Sequence, residues 1–406
     1  MVRRGAALLA GWLLCGLAVA QPPGVTKADE DVLKAGTEDP YTKGEPKLMA
    51  RAGIVRYAPF PWADFKTTAD LERVLGEGRF LWVETEHFRI GLNFQSESWP
   101  DDRDKRRHLK AEIKALRKQV PRYPGKPSEL GPWERMHLYV HRLERLYDEV
   151  QTFFGVTDAD FGTKEKAEAG NGPYLGLGDK VLVLLLQKQS DLARYFERFC
   201  DFQATTSMRW YHTKTQQMAV VVSAEVLEGF DVTALHSFVV YMVTHALMRG
   251  YRGHGVALPQ WLGEGLAHHF AAEIPSDLPN VQARAQEPDP ERGIGLWPIK
   301  VRRRAQHEGV YFTFDQMQAW RRYEELGYHA HAQSWSRVDF LAKRDAKALA
   351  AMVDELKRLK GADGASPEAD AVVARTAALV DERFGLDAKT FDREWRRWVL
   401  KTYPKR

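Results

Sequence analysis

Residues 181–186 read Val-Leu-Val-Leu-Leu-Leu, an almost unbroken apolar run that follows Lys180. Apolar side chains at every position, not at every second one, leave neither face suited to water, so the segment reads as a central β-strand. Its companions are residues 80–85 and 87–94, β-rich and alternating, expected to pair as a hairpin or edge pair. Residues 208–212 and 217–222 read as a second strand pair.

Helical periodicity supplies the rest. Between 133 and 154, apolar residues recur at Met136, Tyr139, Val140, Leu143, Leu146, Tyr147, Val150 and Phe154, the stripe of an amphipathic helix that packs on the sheet. A short helix is expected over 191–199. After Asp231 everything reads as helical, over 232–250, 259–273, 313–326, 329–344, 346–360, 370–384 and 388–402. Trp395 and Trp398, three apart, read as core anchors, and the Arg302–Arg304 triplet as exposed. The expected class is α+β, with a mixed-sheet lobe over 79–231, a helical lobe over 232–406 and a cleft between them.

With 406 residues, 44% of them hydrophobic, and a mean hydropathy of −0.44, the chain has enough apolar material for a sizeable core. Residues 1–20 carry Arg3 and Arg4, an apolar run over 6–17 and an Ala-Val-Ala end, the pattern of a secretory signal peptide. Export to a bacterial periplasm, cell envelope or medium is therefore expected, with no transmembrane span in the mature chain. Residues 21–78 read as an extended leader or linker. Beyond the signal segment Cys200 is the one cysteine, so no disulfide within the mature chain is expected.

Without Arg3 and Arg4, the 59 basic residues fall to 57 and nearly balance the 55 acidic ones, which argues against a nucleic-acid partner. The basic stretch over 103–126 reads mainly as a solvated helix face, with at most weak contact to an anionic envelope surface. The glycines over 170–178 precede their strand and lack a following Gly-Lys-Ser/Thr, so they make no phosphate loop. Neither a Gly-x-Ser-x-Gly elbow nor a Cys-x-x-Cys pair is present.

Chemistry concentrates in residues 241–270. The segment begins Tyr-Met-Val-Thr-His and ends Trp-Leu-Gly-Glu-Gly-Leu-Ala-His-His-Phe, with eighteen residues between His245 and Glu264. A His-Glu-x-x-His zinc site uses two histidines one helical turn apart and a glutamate that activates the bound water. Here Tyr241 stands at the first histidine and Met242 at the glutamate, leaving His245 as the second histidine and Glu264 where a carboxylate ligand would follow.

The segment resembles the gluzincin metallopeptidases, in particular the bacterial peptidase-MA-like family. The order around it agrees: a Thr-Glu-His-Phe-Arg-Ile strand at 85–90, a long helix, an apolar strand, the histidine helix, the Trp-Leu-x-Glu-Gly-Leu-Ala helix, then Gln333-Ser334-Trp335 and Glu394-Trp395. The resemblance covers roughly residues 80–403 and implies a zincin-like fold with a degenerate site. Its implied function is an exported, catalytically inactive relative that keeps a cleft for an unknown peptide or protein, with Tyr241, Arg249, Trp261 and His331 lining it. The alternative is an active zinc metallopeptidase with a non-standard ligand set.

Catalytic residues are expected to be absent, because a thioether at Met242 cannot take a proton from water. His245 and Glu264 are the vestigial metal ligands and His268, one turn beyond Glu264, the candidate substitute. His236, His254, His269 and His331 are further histidines within folding reach. No cofactor is expected, zinc being the one candidate. Without metal, protonated His245 is expected to pair with Glu264, with Arg249 as a second donor.

Overall fold

The computed structural model describes residues 26–163, 170–227, 231–281 and 294–405; residues 1–20, expected to be a signal segment, lie outside them. The fold is α+β, with one six-stranded mixed sheet. Its strands are β1 (Arg56–Tyr57), β2 (Leu81–Glu84), β3 (Phe88–Leu92), β4 (Val181–Leu186), β5 (Met208–His212) and β6 (Gln217–Ser223), in the spatial order β1-β2-β3-β4-β6-β5. β3, β4 and β6 run parallel, with antiparallel partners at both ends.

β4 is central, as its apolar run requires, and its alternate residues feed two different cores. Val181, Val183 and Leu185 join Ile90, Leu92, Val220 and Val222 on one face. Leu182, Leu184 and Leu186 join Trp82, Ala219 and Val221 on the other. The second face is covered by α3 (Thr68–Leu75) and α6 (Gln189–Cys200), through Leu71, Leu75, Leu192, Tyr195 and Phe196. The first is covered by α5 (Pro132–Phe154) and α7 (Val232–Gly250), and its core continues into α8 (Gln260–Ala271), α11 (Tyr328–Lys357), α12 (Ala369–Phe384) and α13 (Ala388–Thr402). One hydrophobic cluster thus runs from Val32 to Tyr403 through both halves of the chain.

Residues 26–78 differ from the extended leader expected of them. They form α1 (Lys27–Ala35), α2 (Pro46–Arg51), β1 and α3, and they are tied down. Capping boxes at Thr26/Asp29 and Thr67/Asp70 start α1 and α3. Asp39, buried, accepts from Thr42 Oγ1 at 2.7 Å and Tyr57 OH at 2.5 Å and meets His137 Nε2 of α5 at 3.0 Å. Phe60 and Trp62 anchor the loop before α3 in the second core. These elements are short and largely polar: α1 and α3 bury three residues each, and α2 and β1 bury none.

In the helical half, the expected pair over 329–344 and 346–360 is continuous as α11, broken only at Asp345, whose φ of −162° and ψ of 99° leave the helix. The helix expected over 313–326 stops early: α10 is Phe314–Gln318, and the next five residues face solvent wholly or in part, with Trp320 turned back onto Phe312. α9 (Trp297–Ala305) was not anticipated, and the arginine triplet is not uniformly exposed. Arg302 is buried and donates to the carbonyls of Val399, Leu400 and Tyr403 at the end of α13. Trp395 is fully buried and donates to Ser336 Oγ, in keeping with a core anchor.

α4 (Arg103–Gln119) carries most of the basic stretch. It buries Leu109, Ile113 and Leu116 and turns most of its basic residues to solvent, while Lys105 reaches Asp231 at 2.8 Å. Lys357 closes α11 from inside, donating to the carbonyls of Arg249, Gly253 and Val256 at 2.7–3.1 Å. Among the described residues no helix is long and apolar enough to cross a membrane.

Candidate functional site

α7 is capped by the Asp231 side chain, which accepts from Thr233 N and Ala234 N, and it is apolar on nearly every face. Such a helix has to be surrounded, and it is, by the sheet, α5 and α8. Tyr241 and His245 point from it towards α8, which carries Glu264 and His268. α8 in turn lies unusually close to α11. A Cβ on Gly265 would come within 2.5 Å of the Ser334 carbonyl and of Val338 Cγ2, so only glycine permits this approach. The close approach sets His331, in the first turn of α11, beside the carboxylate of Glu264.

Five polar side chains therefore converge. Tyr241 OH donates to Glu264 Oε2 at 2.7 Å. His245 Nε2 lies 3.2 Å from Glu264 Oε1, within ion-pair reach but outside hydrogen-bond alignment. His331 Nδ1 lies 3.3 Å from Oε2, and His268 Nε2 3.9 Å from Oε2 and 3.0 Å from His331 Nδ1. Tyr241, His268 and His331 have no solvent exposure and the Glu264 side chain 2%; His245, at 12%, stands at the rim.

The electrostatics follow from burial. Burial, reinforced by Glu264, pushes the Tyr241 phenol well above its ordinary range, so it stays a donor. Burial would raise Glu264, but His245 and His331 hold it well below the usual carboxylate range. Burial lowers His245 despite the pull of Glu264, and lowers His268 strongly. The expected contact of His245 with Glu264 is present, with burial opposing the imidazolium and the carboxylate favouring it.

Arg249 is placed elsewhere. Its Nε donates to His254 Nε2 at 3.1 Å, and His254 stacks on Tyr211 with centroids 4.0 Å apart. The cationic group that does reach this region is Arg209 of β5, whose Nη1 donates to Met242 Sδ at 3.3 Å, at the position where a hydrolase would hold its base. No sequence signal marks Arg209, because the contact arises only when β5 crosses α7. His236 sits 3.6 Å from Glu112 Oε1, away from Glu264, and His269 packs edge-on against Phe270.

The residues expected to line a cleft are instead interior. Tyr241, Trp261 and His331 are all buried, and Trp261 Nε1 donates to Gln318 Oε1 at 2.8 Å. A cavity of about 360 Å³ does open at the carboxyl ends of β3, β4 and β6, but its walls include Gln95, Arg135, Gln187 and Glu225 and none of the motif residues. Cys200 is half-buried, and burial pushes its thiol up to about 12, so it is no nucleophile.

A zinc ion held on the gluzincin pattern would need Tyr241, His245 and Glu264 together. The set does not fit: burial keeps the Tyr241 phenol protonated, and a neutral phenol is a poor zinc ligand. A different grouping has suitable donors, since ligand atoms of Glu264, His268 and His331 all lie within 4.8 Å of one another. No family model, no curated protein and no solved structure matches this chain.

Proposed function

We propose that this chain is an exported protein on a zincin-like plan that does not hydrolyse peptides and acts by binding a peptide or protein. The observation that carries the reading is the Tyr241–Glu264 hydrogen bond of 2.7 Å in a solvent-free site, with Met242 where the general base belongs. A metal hydrolase of this type needs an open coordination position for water and a carboxylate beside it. Here the place of that carboxylate is taken by the Met242 thioether, which accepts from Arg209.

Support for binding comes from β5, which ends the sheet and pairs with β6 alone among the described strands. A strand with one unpaired edge can take an extended peptide as a further strand. Support for export is the pattern of residues 1–20. A working zinc hydrolase with a non-standard ligand set would draw on His268 and His331, but that set consumes Glu264 as a ligand and supplies no base.

The test is incubation of the purified chain with a diverse peptide library, with and without stoichiometric zinc, followed by mass spectrometry. No cleavage is expected in either case. Chelator-sensitive cleavage would overturn the reading. The paired substitution Tyr241→His and Met242→Glu restores the missing groups on α7 and is expected to raise zinc affinity at least about tenfold, as one further protein ligand should.

A further inference from the structure

Three groupings of metal-capable side chains occur among the described residues, and two are already committed. In His108–Glu112–His236, the Glu112 carboxylate takes both forks of Arg142, at 2.7 and 3.0 Å, so a cation there would have to displace a guanidinium. In Glu86–His87–Asp158, both ring nitrogens of His87 are engaged, by Glu144 at 2.6 Å and Asp158 at 2.9 Å. The third, Glu264–His268–His331, is buried throughout and pairs with no guanidinium or ammonium among the described residues; its ligand atoms meet only Tyr241 OH, the rim imidazole of His245 and one another.

We propose that Glu264, His268 and His331 bind one divalent zinc-like cation through Oε2, Nε2 and Nδ1, with a water completing the tetrahedron, where α8, α11 and α7 meet. Two imidazoles and a carboxylate are an accepted zinc donor set. Ligand atoms about 2.0–2.1 Å from a tetrahedral zinc stand about 3.3 Å apart. The three separations here, 3.0, 3.3 and 3.9 Å, bracket that value, and the cation would replace the proton now shared between His268 Nε2 and His331 Nδ1, releasing it to solvent.

The surroundings suit a ligating carboxylate. Tyr241 OH donates to Oε2 and His245 Nε2 faces Oε1, the outer contacts that orient such a ligand. Gly265 fixes the α8–α11 spacing on which the His268–His331 pair depends. The outward nitrogens, His268 Nδ1 and His331 Nε2, are buried without acceptors, so the site is weaker than a zinc centre whose histidines are all braced. This set differs from the gluzincin one in using neither residue 241 nor His245 as a ligand, and it stands whether or not the chain cleaves peptides.

The test is elemental analysis of the purified chain after equilibration with Zn²⁺ and removal of excess, together with the visible spectrum of the Co²⁺-loaded protein. About one Zn²⁺ per chain and a tetrahedral Co²⁺ band are expected. His268→Asn and His331→Gln should each weaken Zn²⁺ binding about 100-fold or more, and His245→Ala less than about tenfold. The spectrum of the unsubstituted protein needs no variant to fold, and circular dichroism checks those that are made. A folded chain that takes up neither ion overturns the site. So does binding lost in His245→Ala but kept in His268→Asn and His331→Gln. Peptide cleavage by the same sample would overturn the non-hydrolytic reading and leave the metal site untouched.

Discussion

Tyr241 gives the buried carboxylate of Glu264 its shortest contact, so removing its hydroxyl isolates the shape of the ring from its chemistry. Tyr241→Phe should cost about 1–3 kcal/mol, the usual penalty for leaving a buried acceptor short of a donor, read by urea unfolding. An unchanged midpoint and slope would mean that the carboxylate finds another partner. A second residue makes stability depend on pH. Burial opposes protonation of His87, but Asp158 and Glu144 overcome it and raise its pKa to about 9. A group raised above its unfolded value of 6.5 stabilises fully below pH 6.5 and loses that contribution as pH rises through 9. The expected loss is about 3 kcal/mol between pH 6.5 and 9.5. His87→Gln should flatten this slope in thermal unfolding series, and a mutant with the same slope would assign it to another group.

Among the elements, the α8–α11 contact decides the site, and it is the feature least legible in sequence. Gly265→Ala places a methyl against the Ser334 carbonyl and Val338. Overpacking of this kind costs about 1–3 kcal/mol, and here it should also part His331 from Glu264. The double effect is measurable as a lowered unfolding midpoint with weaker Zn²⁺ uptake; a lowered midpoint alone would separate the spacing from the cluster. α7 was readable to the residue, because its apolar run begins at the Asp231 cap, and β4 announced itself by continuous apolarity. His268 was visible as the residue one turn from Glu264. His331 stood out far less, since a distance of 63 residues is bridged by packing and no local pattern encodes it. α9 escaped because its short apolar stripe sits among prolines and arginines, and its burial comes from the C-terminal segment that Arg302 caps.

At the scale of the whole molecule, the strands do come from the first half and the helices after Asp231 from the second, yet the apolar cluster recognises no such division. Val220 and Val222 of β6 share it with Val239, Val243 and Leu247 of α7, and α5 meets α11 across the same interior. The division visible in sequence is one of secondary-structure type and not of folding unit. A gene split between Ser223 and Val232 should therefore yield two fragments that each expose half an interior and are insoluble or unfolded when made alone. Made together, they should reassemble into one complex with the far-ultraviolet spectrum of the intact chain. A fragment that melts cooperatively in isolation would reveal a boundary that packing conceals. The continuous interior thus makes the two halves obligate partners, heterodimer subunits that happen to be joined by a peptide bond.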